Sequence, residues 1–180
     1  TAYRVVPDPI LTEVVDASKL MSSPDGCQIV EINGLPFLVA YTDGALFNGS
    51  SDFLAHAGWG VYYAPHHPGN HREPIFGASQ TVARSELRAI VHILTTAVHE
   101  TLIKSDCKSV VDSVKKILQH PDAELPTRDR DLWKIVHAAL HGPQHGRIEI
   151  QWIPSHLDED EAKRKRFEDG GGVISQIDIA

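Results

Sequence analysis

The sequence predicts an α/β domain built on one mixed sheet of five strands, the first three antiparallel and the rest parallel additions, with helices flanking it. Three short β-prone runs follow one another through short links. The hydrophobic period then switches from two to 3.6 residues. After that switch a strand, helix, strand passage requires a crossover to a parallel strand, right-handed by the general rule. The chain's 180 residues, 42% of them hydrophobic, suffice for the core of one compact domain.

Thr1 to Pro36 carries weak periodicity and several turn formers, among them Pro7, Pro9 and Ser22-Ser23-Pro24-Asp25-Gly26, and is set aside as a linker or accessory strand. The domain proper then runs over 37–180. A start at Thr and not Met suits a piece cut from a longer polypeptide.

Phe37 to Asp43 is apolar, β-prone and short, as a buried central strand should be, and alternation puts Asp43 on the face of Phe37, Val39 and Tyr41. His56 to Ala64 and Glu73 to Gln80 read as the next two strands, joined by a turn around Pro65-His66-His67-Pro68-Gly69-Asn70. From Arg84 to Val98 a helix places Leu87, Ile90, Val91, Leu94 and Val98 on one stripe. Thr101 to Ser105 is a strand, and Asp106 opens a second helix as its N-cap, with Val110, Val111, Val114, Ile117 and Leu118 apolar. A third helix spans Asp129 to Leu140, and Ile148, Ile150 and Trp152 alternate as a last strand. Trp59 and Trp152 fall on buried strands and read as core aromatics.

Composition excludes some functions. No apolar run can span a bilayer and no secretory signal opens the chain. Cys27 and Cys107 lack partner motifs, which points to reduced thiols and an intracellular setting. His66, His67 and His71 lie in a Pro/Gly-rich stretch without metal-ligand spacing and read as a surface loop. A net charge of −7 is unlike most nucleic-acid binders, yet clustered carboxylates belong to phosphate chemistry when divalent ions bridge them to the substrate.

Three acids can converge: Asp43 late in the first strand, Glu86 in the first turn of the first helix, and Asp106 where the fourth strand meets its helix. If the first and fourth strands are parallel neighbours, Asp43 and Asp106 lie side by side at the carboxyl end of the sheet, where open α/β sheets place their sites. For each acid taken alone, a structural role such as a helix cap is the simpler reading.

The surrounding residues add specificity. Tyr41-Thr42-Asp43-Gly44-Ala45, Gln80-Thr81-Val82-Ala83-Arg84-Ser85-Glu86-Leu87 and Lys104-Ser105-Asp106-Cys107-Lys108 resemble, in order, the three acidic signatures of type 1 ribonuclease H. Gly58-Trp59-Gly60-Val61-Tyr62-Tyr63 is similar to that family's second strand, Asp131-Leu132-Trp133 to its later helix, and Trp152-Ile153-Pro154-Ser155-His156 to its final strand and histidine loop. The resemblance covers Phe37 to His156. It implies a ribonuclease H-like fold and hydrolysis of the RNA strand of RNA–DNA hybrids by two Mg²⁺ or Mn²⁺ ions. Asp43, Glu86 and Asp106 would be the metal ligands, and His156 a mobile base. Gly44, Gln80 and Thr81 would be substrate contacts, Thr81 at a phosphate of the DNA strand. A retroelement polyprotein is a fitting source for such a domain.

The chain departs from the family in several places. The family's fourth carboxylate, on a helix after the histidine loop, has no counterpart; either Asp178 substitutes or that acid and the final helix lie beyond Ala180, the latter favoured. Val82 and Ala83 stand where relatives carry amides that touch RNA 2′-hydroxyls. The link from His120 to Thr127 lacks the basic protrusion of some relatives, leaving Lys163-Arg164-Lys165-Arg166 as candidate phosphate contacts beside the plainer reading of a solvated charged loop. The competing functions are a non-catalytic module of this fold that binds nucleic acid or protein in a larger assembly, and a transposase, resolvase or exonuclease relative.

Overall fold

The computed structural model describes residues 21–22, 26–51, 54–143 and 146–155. Seven strands form one sheet: β1 (Met21–Ser22), β2 (Gln28–Ile32), β3 (Leu35–Phe47), β4 (His56–Tyr62), β5 (His71–Pro74), β6 (Thr101–Ser105) and β7 (Ile148–Trp152). Three helices accompany it: α1 (Val82–Thr96), α2 (Lys108–Gln119) and α3 (Arg130–His141). The five expected strands are β3 to β7. β3, β4 and β5 pair antiparallel, and β6 and β7 add in parallel through β3. Two short strands extend the sheet into the segment set aside as a linker or accessory strand, β2 pairing with β3 across a turn through Asn33 and Gly34, both at positive φ.

The edges of the elements differ from expectation for local reasons. β3 runs past Asp43 to Phe47 because its ladder with β4 continues to Phe47 opposite His56. β5 covers only His71–Pro74 instead of Glu73 to Gln80: Pro74 has no N–H to give a ladder, and Gly77 turns the chain at φ 98°. The following loop is held by Gln80, whose side chain accepts from Ala57 N (2.7 Å) and donates to the carbonyls of Ile75 (3.0 Å) and Gly77 (2.7 Å). α1 starts before Arg84 because Thr81 caps it, its hydroxyl accepting from Arg84 N at 3.2 Å. Glu86 therefore sits in the second turn, not the first.

Among the described residues the three helices share one sheet face. Leu87, Ile90 and Ile93 of α1, Val110 and Val114 of α2 and Trp133, Val136 and Leu140 of α3 pack with Ala40, Trp59, Val61, Ile103 and Ile150 of the sheet. Trp59 belongs to this core as expected, whereas Trp152 is only partly buried against it. A second cluster, Val30, Ile32, Phe37, Val39 and Leu102 with Tyr41 beside it, occupies the opposite face. Asp43 continues that row, so its backbone belongs to the central strand while its side chain is exposed.

Candidate active site

Parallel pairing of β3 with β6 puts Thr42 opposite Ser105, which brings the next residues of each strand, Asp43 and Asp106, to the same end of the sheet. α1 delivers Glu86 to the same place. It can do so because residue 44 is glycine: a Cβ there would stand 2.9 Å from Glu86 N, 2.8 Å from Ser85 Oγ and 3.0 Å from Glu86 Oε1. The helix thus lies directly on the strand backbone.

Asp106 does not cap α2. The residue before that helix is Cys107, without a side-chain cap, and Cys107 N donates instead to Ser105 Oγ at 3.2 Å. The cap reading of Asp106 is therefore corrected: the residue stands one position before the N-cap. Its backbone carbonyl accepts from Trp152 Nε1 at 3.0 Å, which ties β7 to the site and accounts for that tryptophan's partial exposure.

Glu86 is 1% exposed, and its carboxylate accepts from Ser105 Oγ (3.3 Å), Thr42 Oγ1 (3.4 Å) and the Gly44 backbone N–H. Burial, then the negative charges of Asp106 and Asp43, push its pKa up to about 7 despite those hydrogen bonds. Glu86 thus feels both aspartates. Oxygen donors of this kind suit a hard cation such as Mg²⁺ or Mn²⁺. Among the described residues, no three His, Cys, Asp or Glu side chains stand close enough as placed to ligate one ion.

The other expected site residues divide. Gly44 lies against Glu86 and shapes the site through its missing side chain. Thr81 caps α1, and every amide group of Gln80 is engaged with the protein's own backbone, so both hold structure in this conformation. His156, Asp178 and Lys163 to Arg166 lie outside the described residues.

Sequence reasoning missed a clamp beside the site. Arg84, two residues before Glu86, pairs with Asp129 (2.8 Å) and Asp131 (2.6 Å) at the start of α3. Its hydrogen bond holds Asp131 down to about 2, and Asp129 is 7% exposed at a left-handed φ of 55°. No sequence signal links positions 45 residues apart. We expect Arg84→Ala to lower stability by about 2 kcal/mol in urea denaturation, because the largely buried Asp129 side chain would keep only the longer contact with Arg128 at 3.9 Å.

The histidine reading needs one correction. His71 is not in the turn but in β5, where it meets Glu73 at 3.0 Å and stacks on His92 of α1 with ring centres 4.5 Å apart. Trp59 touches both rings, and Arg88 lies over its indole. Burial, with the charges of His71 and Arg88, lowers the His92 pKa, favouring the neutral ring in this stack.

The family model described as RNase H matches residues 37–164. Among solved structures, the solution structure of the PFV RNase H domain is similar, with a TM-score of 0.48 and 21% identity over 74% of this chain and 93% of that one. No curated protein matches the chain.

Proposed function

The chain belongs to the RNase H family, and from that premise we propose that it hydrolyses the RNA strand of RNA–DNA hybrids with the help of two divalent metal ions. The observation that supports this reading is that Glu86 is buried near Asp43 and Asp106, its proton affinity raised first by that burial and then by the two aspartates. Perturbed carboxylates of this kind mark a site built for a charged ligand.

Each residue has a part in the proposal. Asp43, exposed on the central strand four residues before that strand ends, is the acid a phosphodiester reaches first. Glu86, held by the Thr42 and Ser105 hydroxyls, would be the second ligand to a divalent ion, and Asp106, just after the neighbouring strand, the third. Bound there, Mg²⁺ or Mn²⁺ would supply an acidified water and neutralise charge on the transferring phosphoryl group. His156 would accept or return a proton at the edge of the site, and the fourth acid would be Asp178 or one beyond Ala180. Cys27 and Cys107 form no disulfide, in keeping with a proposed intracellular setting. No helix of the described residues is long and apolar enough to cross a membrane.

The test is cleavage of a labelled RNA–DNA hybrid beside RNA–RNA and DNA–DNA duplexes, in Mg²⁺, Mn²⁺ or EDTA. We expect metal-dependent cutting of the hybrid's RNA only, reduced about 10³-fold or more in kcat by Asp43→Asn. The second reading, a binding module without activity, is favoured by the lack of a three-ligand arrangement among the described residues. It prevails if the protein, and a version extended past Ala180, bind the hybrid and leave it uncut in every metal.

A further inference from the structure

A shallow depression of about 400 Å³ opens beside Asp43 over strands β3, β4 and β5, lined by Tyr41, Asp43, Gly60, Tyr62 and Arg72 among others. The register explains its shape. Asp43 faces Gly60 and Gly60 faces Arg72, so the three form one row across the strands, with Tyr41 and Tyr62 as the adjacent pair. With neighbouring strands about 4.8 Å apart, the Asp43 and Arg72 backbones lie about 10 Å from each other across a floor that has no side chain.

Nothing in the packing demands that empty floor. A Cβ on Gly60 would meet no atom closer than His71 O at 3.6 Å, and Gly60 is not among the positive-φ glycines. The residue's consequence is space next to Asp43.

The walls have a definite chemistry. Arg72 is exposed, and among the described residues it takes part in no ion pair. The ring of Tyr41 is fixed by its hydroxyl, which donates to Gln28 Oε1 at 2.7 Å, and by Lys104, whose Nζ lies 5.3 Å from the ring centre. Lys104 is itself 4% exposed, so its charge acts in a poorly screened setting. Tyr62 is 37% exposed and presents its ring to the depression. A cation, an available aromatic face and an open floor are what a stretch of nucleic-acid backbone with its sugar and base requires.

We infer that this depression is a subsite for the substrate strand within about three nucleotides of the scissile bond, the reach set by the 10 Å span and a rise of about 3.4 Å per nucleotide. Arg72 pairs with a backbone phosphate there, and Tyr62 lies against the sugar and base beside it. This inference rests on the nuclease reading. It gives an acidic protein a positive contact at the mouth of its own site.

The experiment measures hybrid cleavage (KM and kcat in Mg²⁺) and hybrid binding (in Ca²⁺) for the wild type, Arg72→Gln, Arg72→Lys and Gly60→Leu, with thermal midpoints to check folding. Arg72→Gln and Gly60→Leu are expected to raise KM and Kd about tenfold with kcat within about twofold, and Arg72→Lys to recover most of the loss. A single neutral methylphosphonate linkage, stepped along each strand, should abolish the difference between wild type and Arg72→Gln at one position near the cut. Unchanged KM and Kd in folded Arg72→Gln and Gly60→Leu overturn the subsite and leave the nuclease reading standing. If the wild type binds without cutting, that reading fails, and the Arg72 dependence of Kd still decides the subsite; if it neither cuts nor binds, both fall.

Discussion

Glu86→Gln should give a protein that is inactive yet more stable than the wild type above neutral pH in the absence of divalent metal. Glu86 is 1% exposed and its pKa is raised from 4.5 to about 7, so the native state holds this proton more tightly than the unfolded chain does. Its contribution to stability is therefore fully present below pH 4.5, shrinks as pH rises through 7 and is gone above it. At 1.36 kcal/mol per unit the loss is about 3 kcal/mol, which for a domain of this size corresponds to a melting temperature lower by roughly 8 °C. An amide keeps the size of the side chain, carries no charge, and can use the Thr42 and Ser105 hydroxyls as partners. Thermal melts of both proteins in EDTA from pH 4 to 9 check this. The curves should coincide at acid pH and separate as pH rises, with the variant higher. Adding Mg²⁺ should then raise the wild type more than the variant, because the variant offers the cation two of the three proposed carboxylates. Parallel curves across the whole range would show that Glu86 is not under electrostatic pressure, and the case for a shared cation site would lose its support.

The parts of this molecule that the sequence revealed are those governed by local period. Phe37 to Asp43 is a short, apolar, β-prone run, Leu87, Ile90 and Leu94 recur at helical spacing, and Ile148, Ile150 and Trp152 alternate; each became the element its local pattern predicted. The approach of Asp43 and Asp106 to one end of the sheet was legible for a related reason, since a crossover helix makes β3 and β6 parallel, and Thr42 stands level with Ser105. What escaped was non-local or made by side chains acting on backbone. The Arg84 clamp on Asp129 and Asp131 depends on how α1 and α3 pack, and β5 ends early because Pro74 cannot extend the ladder and Gln80 grips the loop. The inward turn of Glu86 depends on two hydroxyls from two strands, Thr42 and Ser105, which a linear reading places 63 residues apart and the register places level. The subsite row Asp43, Gly60, Arg72 has the same character: three unremarkable residues in sequence, adjacent only because two antiparallel registers align them.

Gly44→Ala tests how the site is assembled, and its expected effect is large for a single methyl group. The added Cβ would stand 2.9 Å from the Glu86 backbone nitrogen, a distance that real Cβ contacts essentially never show, and backbone in a helix cannot rotate away as a side chain can. α1 must therefore lift from β3, and that movement acts first on Ser85 and Glu86, the residues nearest the contact. It also removes the short approach through which the Gly44 N–H reaches the Glu86 carboxylate. We expect a loss of about 2–3 kcal/mol in stability and a fall in hybrid cleavage of at least about 10²-fold, because a displacement near 1 Å is enough to misalign reacting groups. Gly58→Ala is the control on the neighbouring strand, where the new methyl group would meet nothing nearer than Glu73 O at 3.6 Å; it should change stability and rate little. If Gly44→Ala were as well tolerated as Gly58→Ala, the helix would not need to lie on the strand for Glu86 to reach the site, and Gly44 would have to be explained by contact with substrate alone.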